Sequence, residues 1–251
     1  MFVGSDVNGI NPGTFDMSGG TLDVGDDITV GDTVMGTMTM SNGAASTADD
    51  FILNTKSSLT MTGGTLRVGD RLTTAGNANL FVDGGELTVD DDFFLFGDAR
   101  ATVDSGSIIV HDKLRFDDDV LRTGKMTING GVVRSNEFGY VDVSDVHILR
   151  GIVEINGSGA YQVEAFNPGP ISSSPVSQLS VPYAQQLIAD GYFITSELAP
   201  LSLVATSIVV PEFDGRTNVA FTQISLVPEP ASATGLLLTG GLLLRRRDLL
   251  S

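Results

Sequence analysis

The chain has 251 residues and a formal net charge of −17, with 14 Lys+Arg against 31 Asp+Glu. It contains 30 Gly and 2 His but no Cys and no Trp. Without cysteine the chain has no disulfide, thiol nucleophile or thiolate metal site, and its acidity argues against a nucleic-acid partner. Since 41% of the residues are hydrophobic, they are numerous enough to form a core.

A repeat of 21 residues covers residues 38–116. Apolar residues recur in fixed columns of this repeat, one of which consists of Met40, Met61, Val82 and Val103. Two columns are invariant, and they consist of Gly43, Gly64, Gly85 and Gly106 and of Asp49, Asp70, Asp91 and Asp112. An earlier copy with two extra residues lies at residues 17–30, and weaker copies follow at Met126 and Ile152.

The spacing inside each copy predicts short β-strands, because the apolar residues lie two apart. This pattern changes phase at the Gly column, so a turn with positive φ is expected there. Short strands that repeat with this period predict an all-β fold, a β-solenoid (parallel β-helix) over residues 14–156 with coils stacked about 4.8 Å apart. The alternative is an antiparallel array of hairpins that turn at the Gly pairs.

The invariant Asp column falls at inward-facing positions of the strand pattern. Because a bare carboxylate in an apolar core is costly, we expect the chain to bend there and the Asp side chain to cap backbone N–H groups. This structural corner is the preferred interpretation of Asp49, Asp70, Asp91 and Asp112. The alternative is a ladder of Ca²⁺ sites, since hard cations take carboxylate ligands, and no other metal or cofactor is indicated.

No spacing in the repeat singles out a catalytic site, so the sequence predicts a non-catalytic protein. A polysaccharide-active β-helix enzyme is an alternative, with basic candidates at Arg67, Arg71, His111, Lys113 and Arg115. A glycan-binding module is a further alternative, which would display a row of exposed aromatic side chains. Its candidates are Phe81 and Phe94.

The repeat ends near Gly157, and residues 157–226 are predicted to form a small α+β region that caps the solenoid. Pro182–Ala189 has the features of a short helix, because Pro begins it and Asp-Gly ends it. Leu201–Val210 and Asn218–Leu226 have the composition of strands. A cap is expected because the last coil of a solenoid would otherwise leave an unpaired edge.

Residues 227–251 carry three elements in a fixed order. The motif Val227-Pro228-Glu229-Pro230 comes first, an apolar stretch at Ala231–Leu244 follows, and the cluster Arg245-Arg246-Arg247 comes last. As a helix this stretch would be about 21 Å long, short of a full membrane span. The Arg cluster is typical of a cytoplasmic flank, so the segment predicts transient membrane insertion through a short C-terminal hydrophobic helix.

This order of elements resembles the PEP-CTERM sorting signal of Gram-negative bacteria, which is also catalogued as the C-terminal domain of ice-binding proteins. The resemblance implies recognition by an exosortase-type membrane enzyme, cleavage near Pro228-Glu229-Pro230, and delivery to the cell surface or extracellular matrix. Exopolysaccharide is then a candidate partner. The repeats themselves resemble those of secreted bacterial passenger and surface proteins.

An exported protein also needs an export signal, and Met1–Gly13 has neither a basic segment nor an apolar run. We therefore expect the sequence to begin at an internal methionine of a longer exported chain.

Overall fold

Parallel pairing between residues one repeat apart builds the fold. The computed structural model of the chain describes residues 1–4, 12–32, 34–116, 124–140, 152–164, 181–191, 193–197 and 201–228. These residues form a nearly all-β structure, a β-solenoid of about 5 turns. The predicted fold class is therefore confirmed, although the predicted hydrophobic helix within residues 231–244 lies outside the described residues.

The strands of the repeat region are short and follow one another closely along the chain. They are β1 (Phe2–Val3), β2 (Gly13–Met17), β3 (Thr21–Val24), β4 (Ile28–Val30), β5 (Gly36–Met40), β6 (Ala44–Thr47), β7 (Phe51–Leu53), β8 (Ser58–Met61), β9 (Thr65–Val68), β10 (Leu72–Thr74), β11 (Asn79–Val89), β12 (Phe93–Leu95) and β13 (Arg100–Phe116). The later elements are β14 (Lys125–Ile128), β15 (Val132–Tyr140), β16 (Ile152–Ile155), β17 (Ala160–Glu164), α1 (Val181–Ala189), β18 (Phe193–Ile194), β19 (Leu201–Phe213) and β20 (Arg216–Pro228).

Three parallel ladders form the faces of the solenoid. The first face follows β2, β5, β8, β11, β13, β14 and β16, and the second follows β3, β6, β9, β11, β13, β15 and β17. The third follows β1, β4, β7, β10, β12, β13 and β15. Because these ladders are parallel, the antiparallel hairpin array is wrong.

The registers match the repeat found in the sequence. Leu80 pairs with Leu59 on one side and with Ala101 on the other, one repeat away in each direction. The two extra residues of the first copy are absorbed before β5, since Met17 pairs with Met40. The weaker copies also continue the ladder, where Met126 pairs with Ala101 and with Val153.

The inward columns form one continuous apolar core. Each coil contributes buried aliphatic side chains and, on the third face, a large residue such as Phe51, Leu72, Phe93 or Leu114. Each coil alone has too little apolar area to fold, so stability comes from stacking neighbouring coils.

The Gly column forms the corner between the first and second faces. Gly64 and Gly85 have φ values of 80° and 76°, as the phase change predicts. A Cβ on Gly85 would lie 2.3 Å from the carbonyl oxygen of Gly64 in the coil below. Glycine is therefore needed for two reasons, the positive φ and the close approach of stacked backbones.

The C-terminal end of the solenoid is covered by elements that do not repeat. β20 pairs antiparallel with β17, β19 pairs antiparallel with β20, and β18 pairs with β16. The helix α1 packs on this end through Ala184 and Leu187. The expected helix and both expected strands are present. The parallel ladders continue to Val163 in β17 and to Ile194 in β18, beyond the predicted boundary at residue 156.

The core at this end is aromatic rather than aliphatic. Phe138, Tyr161 and Phe193 pack together with ring centroids 5.4–5.7 Å apart. Aromatic rings fill a large volume with few residues, so they close the core where the regular repeat stops.

Candidate functional site

The invariant Asp column lies at the corner between the second and third faces. The backbone N–H of Asp91 donates to the carbonyl oxygen of Asp70 at 3.1 Å, and that of Asp70 donates to Asp49 at 3.3 Å. The side chain of Asp70 is 42% exposed. The predicted bend is present, and it turns these carboxylates outward, away from the core.

The backbone N–H groups of this corner are capped by side chains one position after the invariant Asp column, each from the preceding coil. Among the described residues, the carboxylates of Asp27, Asp50 and Asp92 accept the backbone N–H groups of Asp50, Arg71 and Lys113, each at 3.1 Å. We call Asp27, Asp50, Arg71, Asp92 and Lys113 the capping column. The invariant Asp side chains were expected to cap the corner, but the caps come from the residue that follows the invariant Asp. The bend leaves that following residue facing the neighbouring coil.

Acids and bases alternate along the capping column from Asp50 onward. The guanidinium of Arg71 lies 3.0 Å from the Asp50 carboxylate, and that of Arg115 lies 3.0 Å from Asp92. Asp92 is only 6% exposed, and burial is the main cause that raises its pKa. The nearby Arg115 acts in the opposite direction and favours the ionised form.

The remaining basic candidates also pair with carboxylates at this corner. Arg67 lies 2.7 Å from Asp90, His111 lies 3.5 Å from the same carboxylate, and Lys113 lies 2.9 Å from Asp112. These side chains are brought to one edge of the solenoid, where Arg67 and Lys113 offset the charge of stacked acids. Such pairing is a structural reason for their positions.

The invariant carboxylates remain close to one another despite these pairs. Desolvation at the corner, a side-chain hydrogen bond with Asp91, and the negative charges of Asp50 and Asp91 raise the pKa of Asp70. Negative charges therefore accumulate along the invariant Asp column.

Three groups of carboxylates at this corner have ligand oxygens within 4.8 Å of one another. They are Asp26, Asp27 and Asp49; Asp49, Asp50 and Asp70; and Asp91, Asp92 and Asp112. Their oxygen ligands are of the type that Ca²⁺ takes, so the Ca²⁺ ladder stays a prediction beside the structural corner.

The aromatic candidates do not form an exposed row. Phe94 is 8% exposed, its ring stacks on Phe96 with centroids 5.1 Å apart, and the guanidinium of Arg115 lies 5.4 Å from its centre. Phe81 is half-buried on the first face. The two rings lie on different faces of the solenoid, which gives no continuous platform for a sugar chain.

A contact that the sequence analysis missed joins the β19–β20 hairpin to the outer flank of the second face. Phe213 and Phe221 meet edge to face with centroids 5.0 Å apart, and Arg134 lies 5.6 and 5.5 Å from their centres. Ile109 packs against the same apolar cluster. Ile109 could have indicated this contact in the sequence, because it is an aliphatic residue in an outward column that has Ser46, Arg67, Thr88 and Arg134 in other coils.

The first two residues of the predicted sorting motif lie at the base of this hairpin. Val227 pairs with Ser202 and Pro228 with Leu201, and β20 ends at Pro228. The residues Glu229, Pro230, Arg245, Arg246 and Arg247 lie outside the described residues. No helix within the described ranges has the length and apolar character needed to cross a membrane.

A similar tripeptide, Val210-Pro211-Glu212, lies inside β19. It is paired with β20, since Val210 faces Val219 and Glu212 faces Thr217. The chain therefore contains a second Val-Pro-Glu sequence, which lies wholly inside β19.

Comparisons with models of protein families, with curated proteins and with solved structures found no match. The class of protein defined here, a β-solenoid closed by an antiparallel hairpin, rests on the chain's own geometry.

Proposed function

We propose that the chain is an exported, non-catalytic β-solenoid of the cell surface or extracellular matrix, sorted through a C-terminal signal of the PEP-CTERM type. An exosortase-type enzyme recognises Pro228-Glu229-Pro230 while the apolar segment and the Arg cluster hold the chain transiently in the membrane. After cleavage the acidic rod is delivered outside, where exopolysaccharide is its proposed partner.

The observation that carries this proposal is the position of the motif. The three elements of the signal stand in order from Val227 onward, and β20 ends at Pro228. Processing sites are commonly found at the ends of folded elements, and the motif begins at the end of the last described strand. The internal Val210-Pro211-Glu212 sequence lies wholly inside β19, whereas only Val227 and Pro228 of the C-terminal motif belong to the ladder of described strands.

The non-catalytic part of the proposal rests on the pairing of the basic side chains. Arg67, Arg71, Lys113 and Arg115 each lie within 3.0 Å of a carboxylate at the Asp corner. These pairs neutralise stacked acids, which is a sufficient structural reason for their presence.

The test is intact-mass analysis of the protein recovered from the culture medium and from the membranes of its native host. We expect the extracellular protein to lack the segment that follows the motif. Full-length protein retained in the membrane or cytoplasm would contradict the proposal.

A matched pair of variants distinguishes the two Val-Pro-Glu sequences. Glu229→Ala is expected to leave full-length protein in the membrane, because it alters the recognised motif. Glu212→Ala changes the same residue type inside β19 and is expected to be processed normally. Equal processing of both variants would show that the C-terminal motif is not the recognised element.

A further inference from the structure

The outer edge of β19 is the longest strand edge at the C-terminal end of the solenoid. β19 is 13 residues long and pairs with β20 along its length. It has no other strand partner among the described residues, and the helix α1 packs against it around Leu203. Its outer backbone N–H and C=O groups therefore form a template for another strand.

This edge is uncharged over most of its length. Residues 201–210 contain no acidic or basic side chain, although the whole chain carries 31 Asp+Glu and a net charge of −17. Val209 is 62% exposed, and Thr206 and Ser207 are also exposed. Edge strands normally carry charged residues or proline, which prevent pairing with another chain. In β19 the residues of this kind, Pro211 and Glu212, come only near the end of the strand.

The first described coil has strands of a different character. There β2 and β3 pair only with β5 and β6 among the described strands, and they carry Asp16 and Asp23. Phe2 is exposed there as well, but the neighbouring acids would repel those of an identical chain. The β19 edge, by contrast, can meet its own copy without bringing acids together.

We propose that two copies of the chain pair through antiparallel β19 strands related by a two-fold axis near Thr206. An antiparallel pair of identical strands is self-complementary, so it closes as a dimer and does not grow into a filament. In this register Glu212 lies beside the uncharged beginning of the partner's strand. The hairpins of the two copies then form one sheet, and the acidic solenoid ends point away from each other.

The first test measures the association of the full-length chain by sedimentation equilibrium over a range of concentrations. The wild type is expected to dimerise, and Thr206→Lys is expected to weaken dimerisation about tenfold or more, because two like charges meet near the axis. The matched control is Thr217→Lys, which changes an exposed threonine at the hairpin tip. That control is expected to dimerise like the wild type.

A second test uses the absence of cysteine in the chain. Thr206→Cys is expected to form a disulfide-linked dimer under mild oxidation, because residues opposite each other in an antiparallel pair lie about 4.5–5.5 Å apart, within disulfide reach. Thr217→Cys is expected to remain largely unlinked.

Three outcomes would overturn the proposal. They are a wild type that stays monomeric at high concentration, an association that Thr206→Lys leaves unchanged, and equal cross-linking of the two cysteine variants. Association driven by the apolar stretch at Ala231–Leu244 would give the second outcome, since that stretch is intact in every variant. Far-UV circular dichroism of each variant verifies that the fold is kept.

Discussion

The Gly corner and the Asp corner are both invariant through the regular coils, but they are invariant for different physical reasons. At the Gly corner the backbones of stacked coils approach so closely that a Cβ on Gly85 would meet a carbonyl oxygen at 2.3 Å. At the Asp corner the invariant side chains are turned outward, and the neighbouring capping column makes the hydrogen bonds. Strict repetition of a residue therefore does not measure how much that residue stabilises the fold.

The requirement at the Gly corner is steric, whereas the requirement at the Asp corner is electrostatic. A steric requirement is met by one residue type, so the Gly column has no exceptions in the regular coils. An electrostatic requirement can be met by alternation, and the capping column alternates Asp50, Arg71, Asp92 and Lys113. The less uniform column thus makes the stronger contacts of the Asp corner.

The largest effect is expected for Gly85→Ala, which should lower the free energy of unfolding by about 3 kcal/mol or more, because it combines positive φ with a steric clash. Gly20→Ala is the matched control, since Gly20 has a φ of 79° but a Cβ added there would meet nothing within 4 Å. Only the cost of positive φ, about 1 kcal/mol, applies there. Chemical denaturation measures both, and equal effects would show that stacking does not require glycine.

A smaller loss, about 2–3 kcal/mol, is expected for Asp92→Ala. This change removes the acceptor of the Lys113 N–H group and the carboxylate that pairs with the largely buried Arg115. Asp91→Ala alters the invariant neighbour and should be close to neutral, since it removes one of several like charges. Thermal unfolding of the two variants compares the columns directly, and a larger loss for Asp91→Ala would reverse the assignment of the caps.

The smallest effect is expected for Asp70→Asn, which should stabilise the fold by a few tenths of a kcal/mol at pH 7, because surface charge effects are small. The pKa of Asp70 is raised in the folded state, so the stability linked to its protonated form is lost as the pH rises through that pKa. The gain from Asp70→Asn should therefore fade as the pH is lowered through the raised pKa of Asp70, where the wild-type carboxyl takes up its proton.

Glu154→Gln provides the opposite pH dependence as a control. The hydrogen bond from Lys125 is the main cause that lowers the pKa of Glu154, so its contribution is present above the ordinary glutamate pKa and is lost as the pH falls. This variant should be destabilised at pH 7 and approach the wild type in acid. Denaturation curves at several pH values test both variants, and a gain from Asp70→Asn that grows in acid would contradict the charge-ladder explanation.

Most of the fold could be predicted from the repeat. The apolar columns predicted which side chains enter the core, and the Gly column predicted the turn, because both follow from contacts between residues one repeat apart. The weaker copies at Met126 and Ile152 were also found, since inward residues keep their spacing even where the loops between coils lengthen. The position of the corner caps was missed by one residue, because strand periodicity does not specify how a bend rotates the side chains that follow it.

The sequence by itself determined the coil, its register and the steric corner, and it supplies the motif on which the sorting proposal rests. These features are local or periodic, so the same constraint is visible in several copies of the repeat. Only the tertiary structure decided which carboxylates cap the corner, and only it placed the β19–β20 hairpin against Ile109 and Arg134. That hairpin occurs once and joins residues about a hundred positions apart in the chain, and a single distant contact leaves no periodic trace in the sequence.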